Sequence, residues 1–166
     1  MPFGFKDNDQ SSRHKFCAEY NLCMKTFNFS VPITVRYGDL DPQWHVNNAR
    51  FLTYLEHARM AYLTHLGLFE GNNFFDFKLI VADIHIKYLA PIELNQNVAV
   101  HIRCDRIVNK SLVFAYEIRD EDTSEVLSIA ETIMVTYDYH QQKSIIVPDE
   151  WREAIGNLEG VDFRKK

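Results

Sequence analysis

The stretch Tyr37-Gly-Asp-Leu-Asp-Pro-Gln-Trp-His-Val-Asn-Asn48, running on into Ala49-Arg-Phe-Leu-Thr-Tyr-Leu-Glu-His-Ala-Arg-Met-Ala-Tyr-Leu-Thr-His-Leu-Gly67, decides the architecture. Its first half is a polar loop. Its second half repeats apolar side chains at helical spacing: Phe51, Leu55, Ala58, Tyr62 and Leu66 share one face, and Leu52, Tyr54, Ala61 and Leu63 widen it. An arc that wide predicts a helix buried on most of its sides. Asn47 or Asn48 supplies an N-cap, and Gly67 fits a left-handed C-cap.

On either side of this helix the period falls to two. Upstream, Val31, Ile33, Val35 and Tyr37 alternate, with Pro32 suiting a strand entrance or edge. Downstream, Ile80, Ala82, Ile84, Ile86 and Tyr88 alternate with Val81, Asp83, His85 and Lys87. Further sets are Val98, Val100, Ile102, Cys104; then Leu112, Phe114, Tyr116, Ile118; then Leu127, Ile129, Ile133, Val135, Tyr137. The segments 108–111 and 120–124 carry hairpin-turn residues, and Pro148 opens a short closing helix over Asp149–Ile155. No alternating strand–helix–strand pattern is present, so the expected class is α+β: an antiparallel sheet of about five to six strands wrapped around one long central helix.

The chain of 166 residues suits a single domain. Residues 1–24 read as a mobile polar arm with room for a short helix at Phe16–Cys23, residues 25–158 as the domain, and 159–166 as a tail. The net charge is −5 with no basic stripe, which argues against nucleic acid as a partner. Cys17, Cys23 and Cys104 form no disulfide framework and no zinc spacing, so a reducing, cytoplasmic setting is expected. No apolar run has signal-peptide or membrane-spanning length.

Chemistry concentrates in the loop: Asp39, Asp41, His45, Asn47 and Asn48 fall within ten positions before the helix. A single Asn there is an ordinary cap; five polar groups together are more than capping needs. Helix N-termini present unpaired N–H groups that stabilise developing negative charge, and donors aimed at a carbonyl oxygen are a large term in acyl transfer. A carboxylate beside them can attack the carbonyl or activate water.

The string Tyr37 to Asn48, with Phe51-Leu-Thr-Tyr-Leu-Glu-His-Ala-Arg59, resembles the signature of hotdog-fold acyl-CoA thioesterases, the 4-hydroxybenzoyl-CoA branch above all. It is also similar to plant acyl-ACP thioesterases. Ile86-Lys-Tyr-Leu-Ala-Pro91, the Arg103–Ser111 hairpin and Pro148-Asp-Glu-Trp-Arg152 agree more weakly, so the likeness spans about residues 28–155. It implies hydrolysis of an acyl thioester carried by coenzyme A or acyl carrier protein, with Asp41 as the catalytic carboxylate, His45 assisting and Asn48 at the oxyanion. Gln43 stands where the plant branch has Asn, and Trp44 where many relatives have Gly. The resemblance also implies a homodimer or homotetramer with sites at the interface, and Glu56 is an alternative catalytic carboxylate because a helix Glu serves another hotdog branch.

For substrate contact the candidates are Asn47, Gln43 and Tyr54 near the loop, Phe74 and Phe75 as caps of an acyl pocket, and Lys110-Ser111 at a hairpin tip for the phosphates of coenzyme A. Arg59, at the edge of the apolar arc, is expected to pair with Glu56 or Asp39. No metal and no redox cofactor is expected, since coenzyme A belongs to the substrate and the His and Asp residues lack ligand spacing. Two other classes compete: a non-catalytic acyl-CoA sensor, and a hydratase of enoyl or hydroxyacyl thioesters.

Overall fold

A computed structural model describes residues 26–71 and 73–164, with the side chains of Phe74 and Asp76 outside that description. The expected N-terminal arm, residues 1–24 with its helix at Phe16–Cys23, lies outside the described residues.

The elements in chain order are β1 (Phe29–Ile33), a 3-10 turn (Tyr37–Asp39), α1 (Asn48–His65), a second 3-10 turn (Phe74–Phe77), β2 (Leu79–Tyr88), β3 (Val98–Ile107), β4 (Ser111–Asp120), β5 (Val126–Asp138), β6 (Lys143–Ser144) and α2 (Asp149–Glu159). The strands pair antiparallel in the order β1-β3-β4-β5-β2, with β6 joined to the end of β5. Helix α1 crosses one face of this sheet. Its Phe51, Leu55, Ala58, Tyr62 and Leu63 are buried against the inward side chains Val100, Ile102, Leu112, Phe114, Tyr116 and Ile118. This is the hotdog arrangement that the apolar arc of the helix anticipates.

Both ends of α1 follow from residue chemistry. Asn47, not Asn48, is the N-cap: its side chain accepts the Ala49 N–H at 2.9 Å. At the other end Gly67 adopts φ +69, the Gly67 N–H reaches Thr64 O at 3.0 Å, and the Leu68 N–H reaches Leu63 O at 2.9 Å. That pair of bonds is a Schellman cap, which needs a residue free to be left-handed.

Two strand features depart from simple alternation. The β2–β5 register shifts between Val81 and Asp83, so Ala82 is the extra residue of a bulge. Val81 therefore joins Ile84, Ile86 and Tyr88 on the face toward α1, opposite Met134, Thr132, Ala130 and Ser128, while Ile80 turns outward with Asp83, His85 and Lys87. Strict alternation had put Val81 with the charged set. The closing helix also runs further than Ile155. Trp151, Ile155 and Glu159 are buried at helical spacing, and Gly160 ends it in a left-handed cap at φ +68.

Candidate active site

The loop before α1 is a small hairpin. Asp41 N–H donates to His45 O at 2.8 Å, Trp44 N–H donates to Asp41 O at 3.0 Å, and Leu40 bridges Val46. Pro42 and Gln43 make the turn, and Trp44 follows at φ +65. A turn closed by one left-handed residue is a common three-residue hairpin, and Gly is the residue with no steric penalty there. The indole does not narrow the turn; it points into solvent, 64% exposed, and meets Tyr37 edge-on at 6.1 Å. Trp44→Gly is expected to relieve backbone strain of about 1 kcal/mol and to raise the melting temperature by about 2–4 °C, measured by calorimetry.

Asp39 and Asp41 divide the work. Asp39 accepts from Tyr54 Oη at 3.0 Å and from the Arg36 N–H at 3.0 Å, and it lies 3.4 Å from Arg50 Nε. It ties the loop to the helix. Burial, then the bond to Asp39, holds the Tyr54 hydroxyl protonated well above the ordinary tyrosine range. Asp41 is half-buried. Its Oδ1 accepts Gln43 N–H at 2.8 Å and His45 N–H at 3.4 Å, while Oδ2 meets no donor among the described residues.

Asp41 lines a cleft of about 400 Å3 with Val46, Asn48, Phe51, Tyr88, Leu89, Ala90 and Pro91. Phe51 and Tyr88 stand edge to face at 4.9 Å, and Tyr88 Oη donates to Asn48 O at 3.3 Å. At the start of α1 the Ala49 N–H is taken by Asn47 Oδ1 and the Arg50 N–H by Asn47 O, at 2.8 Å. The Asn48 N–H meets no acceptor among the described residues. The cleft thus holds one carboxylate with a free oxygen, one free amide at a helix N-terminus and an apolar wall. These are parts that can act on an acyl carbonyl.

Of the other residues singled out in the sequence, His45 is half-buried in the same hairpin, and Gln43 beside it has an exposed side chain. Glu56 is exposed two turns along α1, about 12 Å from its start, and is not among the residues lining the cleft. Phe75, 62% exposed, and Phe74 precede β2. Lys110 donates to Ser144 O and Oγ at 3.2 Å, and Ser111 opens β4. Leu79 lies opposite Thr136 and Ser111 opposite Val135, whereas Tyr88 lies opposite Ser128. The Phe75 and Lys110 sets therefore stand at one end of the strands and Asp41 at the other, about 30 Å apart; a single chain does not bring them together. The cleft wall Tyr88–Pro91 was visible in the sequence only as the weaker Ile86–Pro91 likeness. Arg59 pairs with neither Glu56 nor Asp39; its Nη1 donates to Tyr116 Oη at 3.3 Å. The reason is that Asp39 is already engaged by Tyr54 and Arg50, and Glu56 faces solvent.

The sequence model of the Thioesterase-like superfamily matches residues 35–155, from the strand end before the loop to Ile155 of the closing helix. The chain belongs to this superfamily. The superfamily match is accompanied by 30% identity over 126 residues to the long-chain acyl-CoA thioesterase FadM of Escherichia coli K12, covering 76% of this chain and 96% of that protein. The acyl-CoA thioesterase YbgC of Haemophilus influenzae is 26% identical over 132 residues, covering 78% and 96%. Among solved structures, a thioesterase of Thermus thermophilus complexed with coenzyme A and zinc superposes with a TM-score of 0.72 at 31% identity, covering 82% of this chain and 98% of that one. Among the described residues of this superfamily member, no three His, Cys, Asp or Glu side chains group as a metal site, and no helix is long and apolar enough to cross a membrane.

Proposed function

We propose that this chain hydrolyses acyl-CoA thioesters to a free carboxylic acid and a thiol, with Asp41 as the catalytic carboxylate. One observation carries the assignment: Asp41 and Asn48 line the same cleft, and among the described residues one Asp41 carboxylate oxygen meets no donor and the Asn48 N–H no acceptor. Asp41 takes a proton from a water that attacks the thioester carbonyl, or attacks that carbonyl itself to form an acyl–aspartyl anhydride, which water then hydrolyses to release the acid and restore the carboxylate. The carbonyl oxygen gains negative charge and is steadied by the Asn48 N–H. The C–S bond then breaks, and the departing thiolate takes up a proton drawn from water. His45 positions or relays that proton. The acyl group lies against Phe51, Tyr88 and Leu89.

A homodimer completes this reading. Strand β2 is an edge strand ten residues long, and Ile80, Val81, Ile84 and Tyr88 on it are exposed. A long unpaired edge with apolar side chains calls for a partner. Antiparallel pairing of β2 with β2 of a second copy sets Phe75 of that copy beside Tyr88. It also places the copy's Lys110 and Ser111 at the Asp41 end of the joined sheet, about 15 Å away across three strand spacings. That is within reach of a pantetheine arm. The setting is cytoplasmic, in keeping with the odd set of three cysteines, and acyl carrier protein is an alternative carrier.

The test is a panel of aromatic, short branched and straight-chain acyl-CoAs, with released thiol trapped by a chromogenic disulfide. Multiple turnover on at least one chain class is the expected result. Binding without thiol release would replace the enzyme with an acyl-CoA sensor, and a change in enoyl absorbance without thiol would replace it with a hydratase.

A further inference from the structure

Arg59 is 5% exposed, yet no counter-charge meets it among the described residues. Nη1 donates to Tyr116 Oη at 3.3 Å, and that hydroxyl shares a hydrogen bond with Thr132 Oγ1 at 3.1 Å. Nε is buried with no acceptor. No carboxylate lies within ion-pair distance of it among the described residues. A guanidinium does not shed its proton inside a protein, so a buried one lacking an anionic partner is strongly disfavoured. Among the described residues the guanidinium is left incomplete at this point.

The position of Arg59 says where the missing acceptor comes from. On α1 it lies between buried Leu55 and a flank formed by Leu52 and Glu56, both exposed. The hydroxyl it reaches belongs to β4, and that hydroxyl's own partner, Thr132 on β5, pairs with Ile84 of the edge strand. This flank therefore faces the open groove between α1 and β2, where Val81, Ile84 and Tyr88 are also exposed. Glu56, one turn from Arg59, has no hydrogen bond or ion pair among the described residues. A twofold interface repeats each contact, so that a residue i meeting j implies j meeting i. One flank carrying both an unpaired guanidinium and an unpaired carboxylate is complementary to its own copy.

We propose that Arg59 is completed by Glu56 of a second copy, giving two equivalent ion pairs that close the groove beside the cleft. This rests on the homodimer reading above. It assigns Glu56 to pairing between copies rather than to catalysis, and it makes the buried Tyr116–Thr132 hydroxyls the inner anchor of the contact.

Sedimentation velocity over a dilution series tests it on the full chain, with circular dichroism as the control for folding. Wild type is expected to be a dimer. Arg59→Met and Glu56→Gln are each expected to weaken dimerisation roughly thirtyfold or more, and the double variant to be no weaker than the weaker single one. Glu56 is exposed in the single chain, so E56Q decides the matter even if R59M fails to fold. A dimeric wild type with E56Q dimerising as tightly, or with the two effects adding independently, overturns the pairing alone. A wild type that stays monomeric overturns the homodimer reading as well, while thiol release would still report on Asp41.

Discussion

Asp41→Asn is expected to lower thiol release from acyl-CoA by about 10²–10⁴-fold while the melting temperature stays within about 2 °C of wild type. The two halves of this result have separate causes. Oδ1 holds the hairpin together by accepting the Gln43 N–H at 2.8 Å, and an amide oxygen can accept the same bond. The turn and the helix start behind it therefore survive. Oδ2 is the oxygen left for the proposed attack or proton transfer, and an amide nitrogen in its place offers neither negative charge nor basicity. Binding separates chemistry from substrate recognition: the variant should retain acyl-CoA affinity within a few-fold, because the cleft wall is unchanged. A folded Asp41→Asn protein that turns over acyl-CoA near the wild-type rate would move the catalytic carboxylate elsewhere.

Glu159→Ala is expected to cost about 2–4 kcal/mol of stability and to lower the melting temperature by about 5–15 °C. Its Oε1 accepts Tyr62 Oη at 2.6 Å and the Cys104 N–H at 2.9 Å. The pairing of β1 with β3 ends at Ile102, so the Cys104 amide lies beyond the last strand partner. The carboxylate takes the place of that partner and joins α2, α1 and β3 at one buried point. Removing it strands two buried donors.

The same carboxyl sets a pH dependence. Burial raises the Glu159 pKa above the ordinary carboxylate value, against the opposing pull of the Tyr62 and Cys104 bonds and of Arg103. A raised folded value means that the fold favours the protonated form. That contribution is complete below the unfolded pKa and declines as pH climbs from the usual carboxylate range through the raised one. Glu159→Gln fixes the neutral form. Its melting temperature, compared with wild type at each pH, should therefore improve from about pH 4 to pH 8. A difference that stays flat across that interval would show that the carboxyl is not held above its ordinary range.

The sequence alone determined the helix, its cap at Gly67, the four long strands that follow it and the loop that carries Asp41, because each depends on local periodicity or on the preferences of residues near in the chain; the first strand, read on to Tyr37, ends at Ile33, and Tyr37 opens a 3-10 turn. It also marked Asp41 as the reactive carboxylate candidate. Other features depended on distant partners. Which Asn caps α1 depended on which side chain the hairpin aims at Ala49, and the sequence left both open. The bulge at Ala82 swapped the faces of Ile80 and Val81 because register is set by β5, not by the alternation within β2. Arg59 found a tyrosine hydroxyl 57 residues away instead of a neighbouring carboxylate. Glu159, placed in a tail by its sequence position, closes a three-element junction because β1 stops short and leaves an amide for it. Periodicity fixes what a segment becomes; only the assembled sheet settles which buried donors and acceptors remain to be satisfied, and by whom.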